Sequence, residues 1–286
     1  MLVTRYTDGH AFWHEVAAPL CANPVLNNVF IGVANRVRKD LRKDLLRAGV
    51  FDGSEIVLGA LRTPPFRLNL AHDGRGEAGI AALVRNLIEG EVAIPGVVGE
   101  EALARAFAAR WSAATGQSVS ARPRHGLLQN LYEVTRVVPP AGVRGAMRNA
   151  RAEERDLILR WEAAFAVDAG LPAAEREIDY ITRFVDEGLA DRSFFVWEAN
   201  GAPVATARLR LVAALGARVS GVYTPDEARG RGYASALTAA LSERVLAHGQ
   251  WCCLFADADN DLTNRIYQRI GYRKVATFAD ILFCDF

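Results

Sequence analysis

The sequence Val222-Tyr223-Thr224-Pro225-Asp226-Glu227-Ala228-Arg229-Gly230-Arg231-Gly232-Tyr233-Ala234 decides the fold of this 286-residue chain. A predicted strand ends where it begins, a loop with two glycines follows, and a helix starts at its end. The helix has an apolar stripe formed by Ala234, Leu237, Leu241 and Val245. Backbone N–H groups at a helix start have no partner in the helix and lie at the positive end of its dipole. This order of elements therefore predicts a pyrophosphate site.

Two side chains and two glycines strengthen that prediction. Arg229 and Arg231 add positive charge, and glycine lets the backbone approach a ligand closely at positive φ. The alternative is an ordinary turn with an exposed Arg-Gly pair, which would contact RNA weakly if it contacted a ligand at all. The order strand, loop, helix favours the phosphate site because that mechanism requires this context.

Outward from this loop, the C-terminal half predicts a mixed set of strands and helices. Before the loop we expect a short strand at 143–149, helices at 151–169 and 173–188, and strands at 194–197, 203–212 and 217–223. After it we expect a helix to about 248, a strand at 251–256, a helix at 261–270 and a strand at 273–284. Residues 203–212 alternate, with Ala205 and Ala207 on one face and Thr206 and Arg208 on the other.

A domain boundary is predicted at Val138-Pro139-Pro140-Ala141-Gly142, because two prolines make a short stiff linker. The predicted domains are residues 1–138 and 143–286. The N-terminal half repeats the same order loosely, which suggests a degenerate internal duplication. Its expected elements are a helix around Leu26–Val33, strands at 54–60, 66–71, 92–98 and 127–136, and helices at 77–89 and 100–114.

Composition excludes several classes of protein. Apolar residues make up 51% and charged residues 23%, and the net charge is +1, so no overall field attracts nucleic acid or an anionic membrane. No apolar run approaches the ~18 residues of a spanning helix, and no signal peptide is evident. The four cysteines lack C-x-x-C spacing, which is typical of free thiols in a reducing cytoplasm. His10 and His14 lack a third ligand, so we expect no metal site.

The residues around the loop resemble a known family. Arg229-x-x-Gly232-x-Ala234 fits the R/Q-x-x-G-x-G/A signature of the GNAT acetyltransferase superfamily, and Asn260–Tyr272 resembles its second cofactor segment. The resemblance covers about residues 143–286. The whole chain also resembles bacterial predicted acetyltransferases with a degenerate N-terminal GNAT-like half. It implies an α/β fold (an α+β mixed sheet) made of two tandem GNAT-like halves.

The resemblance also implies cofactor-binding residues for acetyl-CoA, the acyl donor. The pyrophosphate would be held by the backbone amides of Arg229, Gly230, Arg231, Gly232, Tyr233 and Ala234. Backbone groups of Val222 and Thr224 would pair with the pantetheine arm. In the second segment Asn260 and Asn264 would contact the cofactor, with Asn264 bonding the pantetheine arm.

Tyr267 would be the catalytic residue, close to the sulfur and protonating the leaving thiolate. Positions 264 and 267 share one face of a helix. Without the resemblance, Tyr267 would be a core aromatic and Asn264 a solvated residue, and the sequence leaves these alternatives open.

The general base is not evident from the sequence. An attacking amine must lose a proton, and many relatives keep a glutamate on the strand before the loop, yet residues 217–223 contain no acid. The alternatives are Glu198, Asp257 and Glu133, each of which could equally be a solvated charge at a strand end.

The N-terminal half offers Asp73-Gly74-Arg75-Gly76-Glu77-Ala78 as its nearest counterpart of the phosphate loop. Asp73 stands where the signature requires Arg or Gln, and Glu77 lies inside the loop, so both carboxylates would repel a pyrophosphate. We therefore expect this half to hold no cofactor.

These observations predict an acetyl-CoA-dependent N-acyltransferase in which the amine attacks the thioester directly. The expected partner is a small-molecule amine or a peptide amine, with no nucleic acid or membrane, and the chain is expected to be a monomer or homodimer. The alternative is a non-catalytic acyl-CoA-binding module that senses or scaffolds.

Overall fold

The computed structural model of the chain describes residues 1–120, 128–171 and 173–284. These residues divide into two compact units. The first unit contains 1–120, 128–130 and 275–284. The second unit contains 131–171 and 173–274. The division does not coincide with the predicted linker at 138–142, because it falls inside two strands. That 1–138 and 143–286 are separate domains stays a prediction.

Thirteen strands occur in the described residues. In chain order they are β1 Leu2–Arg5, β2 Leu46–Asp52, β3 Glu55–Arg62, β4 Leu68–His72, β5 Gly96–Glu100, β6 Ser118–Ser120, β7 Leu128–Val134, β8 Ala146–Asn149, β9 Phe194–Ala199, β10 Ala202–Val212, β11 Gly216–Tyr223, β12 Trp251–Asp257 and β13 Arg273–Cys284.

Nine α-helices lie between the strands of the described chain. They are α1 Gly9–Phe12, α2 Asn28–Arg36, α3 Gly76–Glu89, α4 Glu101–Thr115, α5 Arg155–Asp168, α6 Ala173–Arg176, α7 Ile178–Ala190, α8 Tyr233–Leu246 and α9 Asp261–Ile270. Shorter helical turns are the π-turn Trp13–Ala17 and the 3₁₀ turns Pro19–Ala22, Ala152–Glu154 and Asp226–Ala228.

Both units use the same order of strands. The first has the order β1-β2-β3-β4-β5-β13 and the second β8-β9-β10-β11-β12-β7. In each, the first four strands run antiparallel and one parallel pair follows, β4 with β5 and β11 with β12. Helices α3 and α8 connect those parallel pairs. The predicted α/β class with a mixed sheet in two tandem halves is confirmed.

Local sequence explains several boundaries in the second unit. Asn200 and Gly201 form the two-residue turn of the β9–β10 hairpin, with φ +53 and +78, the backbone that such a tight hairpin requires. Helix α9 ends at Gly271, whose φ of +108 is left-handed, and a Cβ at this position would overlap the carbonyl oxygen of Arg136.

Strand β10 differs from the predicted alternation because it is covered on both faces. Ala205 and Ala207 are buried as expected, but Thr206 and Arg208 are buried too. The Arg208 guanidinium lies over Phe184 of α7, with Cζ 4.3 Å from the ring centroid, and donates hydrogen bonds to Ser193 Oγ (2.8 Å) and the Phe184 carbonyl (3.1 Å). Helix packing on the second face of the sheet therefore overrides the polar pattern.

The cysteines are free, and Cys252 and Cys253 are buried whereas Cys284 is exposed. Within the described ranges, no group of three or more His, Cys, Asp or Glu side chains is placed to bind a metal ion. None of the described helices combines the length and hydrophobicity needed to span a bilayer.

Candidate functional site

The parallel strands β11 and β12 separate towards their carboxyl ends. Their pairing runs from Gly216↔Trp251 to Val219↔Leu254 and stops there, although β11 continues to Tyr223 and β12 to Asp257. The edge of β11 from residue 220 to residue 223 is thus not paired with β12. An opening outside the carboxyl ends of parallel strands is the usual ligand position in α/β sheets.

A β-bulge lies in β11 beside this opening. Thr206 of β10 pairs with Tyr223 and Arg208 pairs with Ser220, so Gly221 and Val222 together oppose Ala207. Gly221 has φ +58, a backbone conformation that favours glycine. Bulges bend a strand and redirect its backbone groups, and this one places Val222 at the unpaired edge.

The loop after β11 presents a run of backbone N–H groups. Gly230 and Gly232 have φ +77 and +79, and Gly232 is the N-cap of α8. The first helical bond is from Ala236 N–H to the Gly232 carbonyl (2.9 Å), and no described residue accepts a hydrogen bond from the N–H groups of residues 230–235. A Cβ on Gly230 would meet open space. The loop therefore presents a row of donors at a helix N-terminus, which is suited to a diphosphate.

Arg229 differs from the prediction in two respects. Its backbone N–H donates to the Asp226 carbonyl (3.2 Å) and is not part of the free run. Its guanidinium pairs with Asp168 (2.8 Å) and Asp226 (2.8 Å), which raises its pKa. The side chain thus holds the loop against α5, while the exposed Arg231 has no ion-pair partner among the described residues.

Thr224 contributes an unsatisfied polar atom at the junction of β11 and the loop. Its Oγ1 is buried and has no hydrogen-bond partner in the described structure. A buried hydroxyl without a partner is costly, so this atom is placed to bond a ligand. The Thr224 hydroxyl, the free N–H groups of the loop and the unpaired edge of β11 together fit the predicted acyl-CoA.

Tyr267 lies on α9 with its ring buried and stacks edge-on against Tyr272 at 5.9 Å. No described residue makes a hydrogen bond to its hydroxyl. Burial raises the pKa of Tyr267 to about 12, so the phenol stays protonated at neutral pH and can donate. Tyr272 differs, because its hydroxyl lies 2.7 Å from Ser242 Oγ and 3.5 Å from Cys252 Sγ.

Asn264 is used by the protein itself. Its Oδ1 accepts from the Tyr132 hydroxyl (2.8 Å), and its Nδ2 donates to the carbonyls of Asp257 and Asn260, both at 2.9 Å. The side chain therefore fixes the segment between β12 and α9, and the solvated alternative is wrong because the residue is buried. Asn260 is the N-cap of α9, with Oδ1 accepting from Thr263 N–H (3.0 Å). Their contact with the cofactor stays a prediction.

The three acids that the sequence offered as the general base each have a different environment. Glu198 is bound by Arg148 at 2.6 Å. Asp257 accepts from the Asp259 N–H at 3.0 Å. Glu133 is half-buried on β7, which raises its pKa through desolvation.

Glu162 is the acid that sequence reasoning missed. It lies on α5, is 5% exposed, and has a buried Oε1 without a hydrogen-bond partner in the described structure. A Cβ built on Gly221 would be 3.0 Å from that Oε1, so the carboxyl sits directly against the bulge of β11. Burial raises its pKa to about 8, an effect that the Arg208 guanidinium opposes only in part. The available signal was a glutamate flanked at i−4 and i+4 by Ile158 and Ala166, both buried.

The first unit has an equivalent place that its own side chains fill. Pairing of β4 with β5 ends at Asn69↔Val98, and beyond it His72 Nε2 lies 2.8 Å from Glu100 Oε2. His72 Nδ1 accepts from the Gly74 N–H (3.1 Å), and Asp73 Oδ1 accepts from the Arg75 N–H (2.9 Å). The N–H groups of Gly74 and Arg75 are thus already occupied, which is a physical reason to expect no cofactor there.

Comparison with known proteins agrees with this architecture. Residues 203–279 match the family model of FR47-like proteins, a segment that contains both the glycine loop and α9. No curated protein matches the chain significantly.

Solved structures resemble the chain over nearly its whole length. A GNAT-family acetyltransferase from Colwellia psychrerythraea has 13% identity and a TM-score of 0.56, covering 99% of this chain and 100% of its own. A GCN5-related N-acetyltransferase from Sphaerobacter thermophilus has 15% identity and a TM-score of 0.58, covering 98% and 94%. A tandem GNAT protein from the clavulanic acid biosynthesis pathway has 14% identity and a TM-score of 0.52, covering 98% and 97%.

The chain thus has the GNAT acetyltransferase fold in tandem form, with an FR47-like segment at its candidate site. The resemblance predicted from the two motifs is confirmed.

Proposed function

We propose that this protein transfers an acyl group, with acetyl as the expected one, from a CoA thioester to an amine. The observation that supports the proposal is the run of N–H groups at residues 230–235 that have no partner in the described part of the chain, in the loop that follows β11 at the opening between β11 and β12. A diphosphate in the loop would leave the rest of the donor free to extend along the unpaired edge of β11. The acyl-transfer chemistry of proteins with this fold supports the same function.

Each part of the site has a task in this proposal. The N–H groups from Gly230 to Ala234 hold the pyrophosphate. Val222 and Thr224 bond the pantetheine arm through their backbone groups, and the unsatisfied Thr224 hydroxyl adds a further bond. A backbone N–H beside the bulge polarises the thioester carbonyl, because a fixed dipole stabilises charge that develops in the transition state.

Tyr267 donates a proton to the departing sulfur. Its hydroxyl makes no hydrogen bond to a described residue and its raised pKa keeps it protonated. A module that only bound acyl-CoA would not require a proton donor at this position, so this feature favours an enzyme.

The test is acceptor-dependent release of free CoA thiol from acetyl-CoA, measured with a thiol-specific chromophore over a panel of small and peptide amines. We expect release above the rate of hydrolysis with at least one amine, and loss of that release in Gly232→Asp. Tight binding of acetyl-CoA with no amine-dependent release from any member of the panel would contradict the proposal.

A further inference from the structure

We propose that Glu162 is the proton acceptor of the reaction and that the acceptor substrate is an aliphatic amine that arrives as an ammonium ion. The inference rests on the proposed acyl transfer and deepens it. Two observations lead to it. Residues 217–223 of the strand contain no acid, and helix α5 places the Glu162 carboxyl against this strand at Gly221.

The position of Glu162 is the first argument. Helix α5 packs against β11, and the Glu162 carboxyl lies next to Gly221, with Oε1 3.0 Å and Oε2 3.4 Å from a Cβ built there. Val222, the next residue, lies at the edge where the thioester is expected. The carboxyl is therefore at the bulge, beside the reacting centre, where a strand glutamate would otherwise point.

The second argument is that the carboxyl has a buried oxygen without a hydrogen-bond partner in the described residues. Its Oε1 is buried and unbonded in the described residues. The Arg208 guanidinium is the charge that acts on it, but that group already bonds Ser193 and the Phe184 carbonyl. An unpaired buried carboxyl is stable only when it is protonated or when a cation reaches it. An alkylammonium supplies both that cation and the proton to be removed.

The third argument concerns the neighbouring groups. Trp161, the residue before Glu162, packs against Tyr223 with ring centroids 6.4 Å apart, and the Tyr223 ring already carries the Arg229 guanidinium, with Cζ 5.7 Å from its centroid. Four elements make the main contacts with α5, namely β11, α6, α7 and the turn Ala152–Glu154, and Arg229 of the loop pairs with Asp168 at its end. Their titratable side chains are Arg218 and Tyr223 on β11, Glu175 and Arg176 on α6, Asp179, Tyr180, Arg183, Asp186 and Glu187 on α7, and Glu153 and Glu154 in the turn.

Several of these groups are already paired elsewhere. Asp186 binds Arg155 at 2.6 Å and Glu154 binds Arg148 at 2.6 Å. The pKa of Glu162 is accordingly raised by burial, to about 8, and lowered only in part by Arg208. The carboxyl is mostly protonated at pH 7 in the free protein and becomes an effective base as the pH rises through 8 or as an ammonium binds.

The proton steps balance with the groups on hand. Glu162 takes one proton from the ammonium, and the freed nitrogen pair forms the C–N bond. The C–S bond breaks with its electron pair on sulfur, which takes a proton from Tyr267. After the C–N bond has formed, the nitrogen still carries one proton more than the amide, and this proton returns to the Tyr267 oxygen. Glu162 then releases its proton to solvent. One proton is released for each amide formed.

The experiment compares Glu162→Gln and Glu162→Asp with Asp156→Asn, an exposed acid on the same helix. The readouts are thiol release against pH with an alkylamine, and acetyl-CoA affinity by calorimetry. We expect Glu162→Gln to lower kcat by about 10²–10⁴-fold, with acetyl-CoA affinity unchanged within about threefold. In the wild type kcat/KM should rise with pH near pH 8. This rise should disappear in Glu162→Gln and persist in Glu162→Asp.

Three results would overturn the inference. An active Glu162→Gln with an unchanged pH profile would show a structural role only, and acyl transfer itself would stand. If the wild type used a weakly basic arylamine and an alkylamine equally well, the claim that the acceptor binds as an ammonium ion would be wrong. If the wild type released no thiol with any amine, both the proposed function and this inference would be contradicted.

A stability measurement covers the case in which a variant folds poorly. Because the carboxyl keeps its proton in the folded state up to about pH 8, the wild type should lose stability relative to Glu162→Gln as the pH rises from about 5 to 8. A constant difference across that range would contradict the buried titration.

Discussion

Replacing Tyr267 and Tyr272 separately by Phe should have opposite consequences. The two rings pack edge to face with centroids 5.9 Å apart in the same core, and each substitution keeps the ring while removing only a hydroxyl. The Tyr267 hydroxyl has no hydrogen bond to a described residue, so Tyr267→Phe should leave the unfolding temperature nearly unchanged. The Tyr272 hydroxyl donates to Ser242 Oγ at 2.7 Å, because the Ser242 proton is used on the Thr238 carbonyl.

The magnitudes follow from those contacts. Removing one buried hydrogen bond costs about 1–1.5 kcal/mol, which for a unit of this size lowers the unfolding temperature by about 2–6 °C. General acid catalysis contributes ~10²–10⁴-fold, and a thiolate leaving group belongs at or below the low end of that range. Tyr267→Phe should therefore lower turnover by roughly tenfold to a few hundredfold, about 1.4–3.4 kcal/mol in the barrier.

The assays are thermal unfolding, turnover by thiol release, and acetyl-CoA affinity by calorimetry, on both variants. We expect Tyr267→Phe to lose turnover alone and Tyr272→Phe to lose stability alone. A fully active Tyr267→Phe would end the general-acid assignment and leave a core aromatic. A fall in affinity that matches the fall in turnover would instead make the hydroxyl an anchor for the cofactor.

Two further predictions concern the loops. Gly232→Asp should weaken CoA binding at least a hundredfold, because one carboxylate about 5 Å from a phosphate costs about 3 kcal/mol at an effective dielectric constant of ~20. The control Gly249→Asp places the same side chain at a similar left-handed φ (+69 against +79) beyond the far end of α8 and should leave affinity unchanged. Equal affinity of the two variants in calorimetry would contradict the assigned loop. Asp73→Ala should leave CoA affinity within a factor of a few with one site per chain, and a large loss or a second site would mean that the first unit takes part in binding.

The sequence predicted those parts of the site that depend on neighbouring residues. The strand ending near Tyr223, the glycines at 230 and 232, and the start of α8 all follow from local chemistry, since positive φ and a helix start leave clear marks in a sequence. The helix containing Tyr267 was predicted for the same reason. Its bounds, Asp261–Ile270, match the prediction because an N-cap and a C-terminal glycine flank it.

Other features could not be predicted because they depend on register between distant segments. The bulge at Gly221 exists only through the pairing of β11 with β10. The partner of Asn264 is Tyr132, 132 residues away. Glu162 was overlooked because a single acid in a helix reads as solvent-exposed, although the residues one turn before and after it, Ile158 and Ala166, are buried.

The two halves show why element order alone does not specify a binding site. Both units have a parallel strand pair, a loop and a helix in the same order. In the second unit the loop's N–H groups at residues 230–235 have no partner among the described residues, whereas in the first the N–H groups of Gly74 and Arg75 are satisfied by His72 and Asp73. Binding depends on where those donors point and on what already occupies them. Removing Asp73 alone would still leave His72 and Glu100 between the strand ends, so a single substitution should not create a second acyl-CoA site in the first unit.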